Sequence, residues 1–456
     1  MESKRGKIFL QKDWTEGSII RNLLMLSWPI LISHSLNMLG PTIDLIWVGK
    51  LGSASMAGVG MAGTIVMFFM SAMMGLSQGA RAMVARFIGA KDSPGANNVA
   101  IQSFIVSFCY SLFIISIGLF LSETLLIITG VDADVVSEGA AYMQIMFVCG
   151  AARAFRMMAE SIMQSSGDAV TPMKISVLFR IVHIIVCPFL VFGLWIFPHL
   201  GVRGAALSDF FAQTLGLVIG LWILFSGRTR LSLTLKNVHI DLAIIWRIVK
   251  IGIPVAVMGM QRGLGQFLLM FFMVPFGTAA VAAHTILHRI EMMLVMLCMG
   301  LGTSAGVLAG QNMGAGKPKR AEKSGWLAAC LAEGVMLFCS AILFIWPEPF
   351  VRIFNSDPSL VAITTVFLRI GAIGYLMLGC GPLFMHVLSG MGDTMPPMLI
   401  AILQTWLVLM PLAFFLPMIG DLGMYGVRWA ITIAMYISAI LYVTYFRSGR
   451  WKNKVV

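Results

Sequence analysis

Few residues in this chain could do chemistry, and those few sit in unexpected surroundings. Asp44 lies in the stretch Ser35–Gly52, SLNMLGPTIDLIWVGKLG, which closes a long apolar run. A carboxylate at the centre of a bilayer costs roughly 2.5–3.5 kcal/mol on insertion scales, so an acid kept there is expected to bind a cation or carry a proton. Asn37 and Asp44 are seven apart and share a helix face. Pro41 between them removes an intrahelical bond and crowds the Asn37 carbonyl, so the helix is expected to bend or unwind there. Such a bend beside an acid suits a helix that lines a water-filled cavity. The alternative is an acid at the outer interface, because Trp47 and Lys50 mark that end.

Two further groups share this character. Arg180, His183 and Cys187 are spaced by three and four and form one stripe. A guanidinium in hydrocarbon needs a carboxylate partner or water, and a histidine there could titrate near neutral pH. Asp209 and Gln213 are one turn apart, at a depth like that of Asp44. The two acids would make a cation site if their helices were adjacent, and one of them would then resist ionisation. Arg262, Gln266, His288, Arg289 and Glu291 lie further along, and Glu291 is expected to pair with His288 or Arg289 on its own helix. No phosphate-binding loop, metal pair or nucleophile triad is present, so the sequence does not suggest an enzyme.

The elements that must hold these residues are membrane helices. Of 456 residues, 59% are hydrophobic and 11% charged, and mean hydropathy is +0.90. Apolar runs of about 20 residues recur throughout, which predicts an all-α polytopic membrane protein. Twelve spans are expected, at 22–47, 54–79, 97–121, 138–161, 172–196, 203–226, 246–273, 279–306, 324–346, 361–386, 395–418 and 424–446. The first run is too long for a signal-peptide core and no small-residue cleavage site closes it, so it is read as a span. Most Lys and Arg fall in six clusters, at 4–21, 81–91, 153–174, 228–250, 317–323 and 447–454. The opposite loops hold Lys50, Arg203, Arg352 and Arg428. These segments alternate consistently if both termini are cytoplasmic. The net charge of +12 is then a topology signal and not a nucleic-acid footprint. The seven cysteines show no metal-ligand spacing and are expected to be small, buried, reduced thiols.

The chain also repeats itself. MMGLSQGARAMVARFIGAKD resembles CMGLGTSAGVLAGQNMGAGK, and SGDAVTPM resembles MGDTMPPM. Pro29 matches Pro254, Gly167 matches Gly392 and Asp168 matches Asp393, always 225 residues apart. Two homologous halves of six spans follow, inserted in the same direction and related by a pseudo-twofold axis along the membrane normal, with the substrate path between them. The expected organisation is a cytoplasmic N-terminal segment at 1–21, an N-lobe at 22–226, a cytoplasmic linker at 227–245, a C-lobe at 246–446 and a cytoplasmic tail at 447–456. Asp168 and Asp393 follow a glycine and precede a helix start, the position of an N-cap.

With IDLIWVGKLG, ARFIGAKD, SGDAVTPM and GVRGAALSD in the first half and VAAHTILHRI in the second, the chain resembles the multidrug and toxic compound extrusion (MATE) transporters of the MOP superfamily over nearly its whole length. The resemblance implies two six-helix lobes related by pseudo-twofold symmetry, and antiport of amphipathic, often cationic drugs against H⁺ or Na⁺. It places the family's span-one Asp on Asp44, its span-four Tyr on Tyr142 and its span-six Thr on Asp209. The family's span-five Asn and Asp fall on His183 and Cys187, so two hard oxygen ligands are replaced, which disfavours Na⁺. The second-lobe acids of the NorM branch fall on Arg262 and Leu378, so a first-lobe, DinF-like mechanism is expected. The coupling residues are then Asp44, Asp209 and His183. Asn37, Pro41, Tyr142, Arg180, Cys187, Gln213, Arg262 and Gln266 form the substrate cavity or its supporting network. The protein is expected to be no enzyme and to hold no cofactor or metal, to use H⁺ as coupling ion with Na⁺ less favoured, and to export small amphipathic cations from the cytoplasmic membrane. It would contact membrane lipids but no nucleic acid, as a monomer. The alternative is a lipid or lipid-linked oligosaccharide flippase of the same superfamily, with Arg180 and Arg262 facing an anionic headgroup.

Overall fold

The computed structural model describes residues 12–235, 239–420 and 422–454. Lys4, Arg5, Lys7 and Lys236 of the basic clusters lie outside the described residues. So do 1–11 of the N-terminal segment, 236–238 of the linker and 455–456 of the tail. The described chain is helical and contains no strand. In the bilayer every backbone polar group must be satisfied within its own segment, which leaves the helix as the natural form for such apolar runs.

The first seven helices are α1 (Ile19–Val48), α2 (Ser53–Gly89), α3 (Ser93–Ile127), α4 (Ala133–Val148), α5 (Gly150–Ser165), α6 (Val170–Phe192) and α7 (Val202–Phe225). After them come α8 (Leu242–Met273), α9 (Thr278–Gly314), α10 (Pro318–Ile345), α11 (Pro347–Arg352), α12 (Pro358–Tyr375) and α13 (Cys380–Gly390). The last are α14 (Met395–Ile402), α15 (Met410–Phe415) and α16 (Gly423–Ser448), with a π-helical stretch Leu403–Leu409 joining α14 to α15. Pro411 explains that stretch, because it has no N–H to offer an α-helical ladder. Eleven helical segments among the described residues are long and apolar enough to cross a membrane, and the bent pair α4–α5 makes a twelfth. The span expected as one helix over 138–161 is thus two, bent by 44° at Cys149. Their outward faces are apolar, as at Met67, Phe120 and Leu407, which suits lipid contact.

The described residues divide into two compact units, one of those within 1–14 and 28–256, the other of those within 15–27 and 257–456. In the first, α2 packs on α4, α6 on α7, and α5 on α7. The first half of α8 belongs here because small residues let backbones meet: a Cβ on Gly75 would fall 2.4 Å from the Gly252 carbonyl oxygen. In the second unit α9 packs on α13 and α12 on α16, around buried Leu287, Met336, Phe367 and Val427. Segment 15–27 joins it through Lys317 Nζ, which donates to the Thr15 carbonyl at 3.3 Å, and Arg320 Nη2, which donates to that of Gly17 at 2.7 Å.

The repeated loops have one geometry. Gly167 and Gly392 both take a positive φ, of 95° and 87°, where L side chains are strained. Asp168 then caps α6, its Oδ1 accepting from Thr171 N at 3.0 Å. Asp393 is used differently: Tyr445 Oη donates to its Oδ2 at 2.5 Å and Lys454 Nζ lies 3.6 Å from its Oδ1. The cysteines are free thiols, but Cys109 and Cys330 are exposed and Cys339 half-buried, so burial does not hold for all seven. Cys109 and Cys330 lie on the apolar exterior of their helices, where a small weakly polar side chain costs little.

Candidate functional site

The bend at Cys149 determines what the first unit can do. It rotates α5 so that Arg153, Arg156 and Glu160, spaced three and four apart, face inward as one stripe. The basic cluster at 153–174 is therefore not wholly a loop signal: Arg156 is 2% exposed and mid-span, and Arg153 is ion-paired. Arg153 pairs with Asp209 of α7, and Arg156 pairs with Glu160 one turn along its own helix. Arg156 Nε also donates to Gln213 Oε1 at 2.5 Å and its Nη2 to Asn37 Oδ1 at 3.0 Å. Gln213 Nε2 closes the loop by donating to Asp209 Oδ1 at 3.1 Å. Asp209 thus answers a guanidinium and is not half of a bare two-acid cation site with Asp44. Gly216, one turn from Gln213, leaves the space Arg156 occupies, since a Cβ there would fall 2.9 Å from Arg156 Cδ.

Asp44 is 2% exposed and has different partners. Tyr142 Oη of α4 donates to its Oδ2 at 2.9 Å, and His183 Nε2 of α6 donates to its Oδ1 at 3.1 Å. Cys187 Sγ lies 4.0 Å from the same Oδ1. The other imidazole nitrogen, Nδ1, accepts from Arg180 Nη1 at 2.8 Å. A guanidinium can only donate, so it fixes the tautomer and keeps the Nε2–H on Asp44.

Of the carboxylate or water expected to partner Arg180, no carboxylate reaches it among the described residues. Arg180 takes His183 Nδ1, and its Nη2 reaches the Asn37 carbonyl oxygen at 3.4 Å. That carbonyl is the one Pro41 leaves without a helical donor. α1 accordingly runs from Ile19 to Val48 without unwinding at Pro41, because a side chain of α6 serves the freed oxygen. Gly40 provides the room: a Cβ there would fall 2.6 Å from Arg180 Nη1. The guanidinium carbons of Arg156 and Arg180 stand 4.3 and 5.2 Å from the centre of the buried Phe179 ring.

Of the sequence-derived residues, Asp44, Asp209, His183, Asn37, Pro41, Tyr142, Arg180, Cys187 and Gln213 all lie in this unit. They form two linked clusters, one around Asp44 and one around Asp209. Arg262 and Gln266 belong to the second unit. There Arg262 is exposed and Nη2 donates to Met385 Sδ at 3.8 Å, while Gln266 Nε2 approaches His284 Nε2 at 3.4 Å. Glu291, a buried acid of that unit, is not held mainly by its own helix. Arg428 Nη2 of α16 donates to Glu291 Oε1 at 2.5 Å and Tyr375 Oη at 3.2 Å, while His288 Nδ1 stays 4.0 Å from Oε2. Arg428 was expected in an outer loop; it is fully buried. Arg153, Arg156 and Glu160 were missed as site residues, although their spacing on one stripe was legible.

The MatE family model matches residues 29–189 and again 254–415, with starts 225 residues apart. The chain belongs to the MatE family. A curated relative, "Probable multidrug resistance protein NorM" of Thermotoga maritima, is 24% identical over 96% of this chain and 94% of its own length. "Uncharacterized transporter YisQ" of Bacillus subtilis is 24% identical, covering 95% of each chain. The solved structure "Outward-facing conformation of a multidrug resistance MATE family transporter of the MOP superfamily" superposes with a TM-score of 0.89 at 23% identity, covering each chain fully. This MatE chain is a multi-pass membrane transporter and not an enzyme.

Proposed function

We propose that the protein exports small amphipathic cations, drugs among them, in exchange for H⁺, through the first unit and by alternating access. One observation supports the reading most: among the buried acids of the described first-unit network, Asp44 is the one with no guanidinium bond. Asp209 and Glu160 are each neutralised by an arginine. A proton on Asp44 therefore changes the charge of the network, whereas Asp209 and Glu160 hold theirs against fixed partners. In the ionised state Asp44 can attract a cationic cargo. Protonation from outside removes that attraction and releases it, and loss of the proton to the cytoplasm resets the site.

The same reading favours a DinF-like branch, since Arg262 and Leu378 stand where the NorM branch is expected to carry acids. It places the protein in the cytoplasmic membrane as a monomer, with cytoplasmic termini and two parallel six-span lobes. Relatives named as multidrug resistance or export proteins, such as "Multidrug export protein MepA" of Staphylococcus saprophyticus, support the substrate class. A flippase for anionic headgroups is the second reading, favoured by exposed Arg262, which donates to a thioether and pairs with no carboxylate among the described residues. The test is efflux from proteoliposomes under imposed H⁺ or Na⁺ gradients. Wild type should move organic cations on the H⁺ gradient alone and Asp44→Asn should not. Full pH-dependent efflux by a stable Asp44→Asn protein would refute the assignment, and flipping of a fluorescent anionic lipid without drug efflux would favour the second reading.

A further inference from the structure

The partners of Asp44 include donors that neither a proton nor a hard cation requires. Asp44 Oδ1, His183 Nε2 and Cys187 Sγ all lie within 4.8 Å of one another, and all three residues are buried. The nitrogen is 3.1 Å and the sulfur 4.0 Å from the same oxygen. A tetrahedral zinc with bonds of about 2.0 Å to nitrogen and oxygen and about 2.3 Å to sulfur sets its ligand atoms roughly 3.3–3.5 Å apart. The present spacings bracket that range. His183 and Cys187 are one turn apart on α6 and point the same way. The second carboxylate oxygen of Asp44 is held by Tyr142, which turns Oδ1 toward the other two donors, the kind of outer support that metal ligands commonly have.

We infer that Asp44, His183 and Cys187 bind a borderline or soft divalent cation, Zn²⁺ or Cd²⁺, with water in the fourth position. Imidazole and thiolate select such ions over Na⁺ or Mg²⁺, which prefer oxygen. The proton balance is simple. Cys187 loses its S–H proton to solvent and binds as thiolate. The His183 proton moves from Nε2 to Nδ1, which frees the Nε2 lone pair for the metal. Arg180 gives up Nδ1 and keeps the Asn37 carbonyl. The thiolate and the ionised Asp44 together match the charge of the ion. The metal then occupies the carboxylate that cargo and protons would use, so it blocks export. This last consequence rests on the proposed exchange role of Asp44, whereas binding does not.

The test uses the full chain purified in detergent, with Cys109, Cys149, Cys298, Cys330, Cys339 and Cys380 replaced by alanine and Cys187 kept. Titration with Cd²⁺ should give an ultraviolet thiolate-to-metal charge-transfer band that saturates at one equivalent. His183→Gln should weaken binding by more than about 100-fold and Asp44→Asn by about 10-fold. Absence of the band, or a band unchanged by His183→Gln, overturns the site. If the substituted background does not fold, the difference spectrum between wild type and Cys187→Ser carries the same test. Cd²⁺ should also stop organic-cation efflux, with recovery on adding chelator. Should Asp44→Asn protein pump normally while Cd²⁺ still binds through His183 and Cys187, the exchange reading falls and the metal site stands. Should Asp44→Asn abolish efflux while no band forms, only the metal site falls.

Discussion

Both units of this protein bury acids among their helices, and Asp44 of the first is treated differently from Glu291 of the second. In the second unit Glu291 faces Arg428, which is fully buried, with Tyr375 completing its shell. In the first unit Asp44 faces a tyrosine hydroxyl and a neutral imidazole, and the arginine nearest in the chain of contacts stops one residue short, at His183. An ion pair locks a charge in place, since removing either member leaves the other uncompensated in low dielectric. A carboxylate held by neutral donors can gain or lose a proton without breaking a pair. The contrast supports a holding role for Glu291 and the exchange role proposed for Asp44, and it can be broken experimentally.

The largest effect on transport is expected from Asp44→Asn, which should lower H⁺-driven efflux in proteoliposomes by more than about 100-fold, with an unchanged elution profile. Equal efflux from wild type and variant would erase the difference between the two acids. Glu291→Gln should act on stability instead. Leaving Arg428 buried and unpaired is expected to cost about 3–5 kcal/mol, read as a lowered melting temperature in detergent. The double variant Glu291→Gln with Arg428→Met should recover most of that loss; additive losses would mean the two side chains are not coupled. Gly40→Ala should push Arg180 off the Asn37 carbonyl and cut efflux several-fold, whereas Gly263→Ala, where a Cβ meets nothing within 4 Å, should leave it unchanged. Tyr142→Phe probes the other oxygen of the Asp44 carboxylate. Loss of one hydrogen bond to a carboxylate, worth about 1.5–3 kcal/mol at most, should slow efflux and alter its pH profile while the protein stays folded. An unaltered profile would remove Tyr142 from the site.

Much of this architecture was legible in the residues alone. Apolar runs marked the spans, and the 225-residue offset marked the repeat, which the family model later matched twice. Asp44 stood out because an acid inside such a run is costly. Arg153 and Arg156, in the basic cluster at 153–174, read as loop charges because counting basic residues cannot tell a short loop from a bent span. Only the 44° break at Cys149 turns them inward. Of the bend or unwinding expected at Pro41, the unwinding does not occur, because the freed carbonyl is served from another helix, by Arg180.

By itself, then, the sequence determined which segments cross the membrane, that they come in two related sets, and that Asp44 is the acid to explain. The tertiary structure alone decided who neutralises whom: Arg153 for Asp209, Arg156 for Glu160, Arg428 for Glu291, and no arginine for Asp44. The physical reason is that hydrophobicity is cheap to read and rotation is not. A helix that is apolar nearly all round carries little periodic signal to say which way a lone polar side chain points. Its partner is fixed only when bends, small residues and crossing helices are placed together.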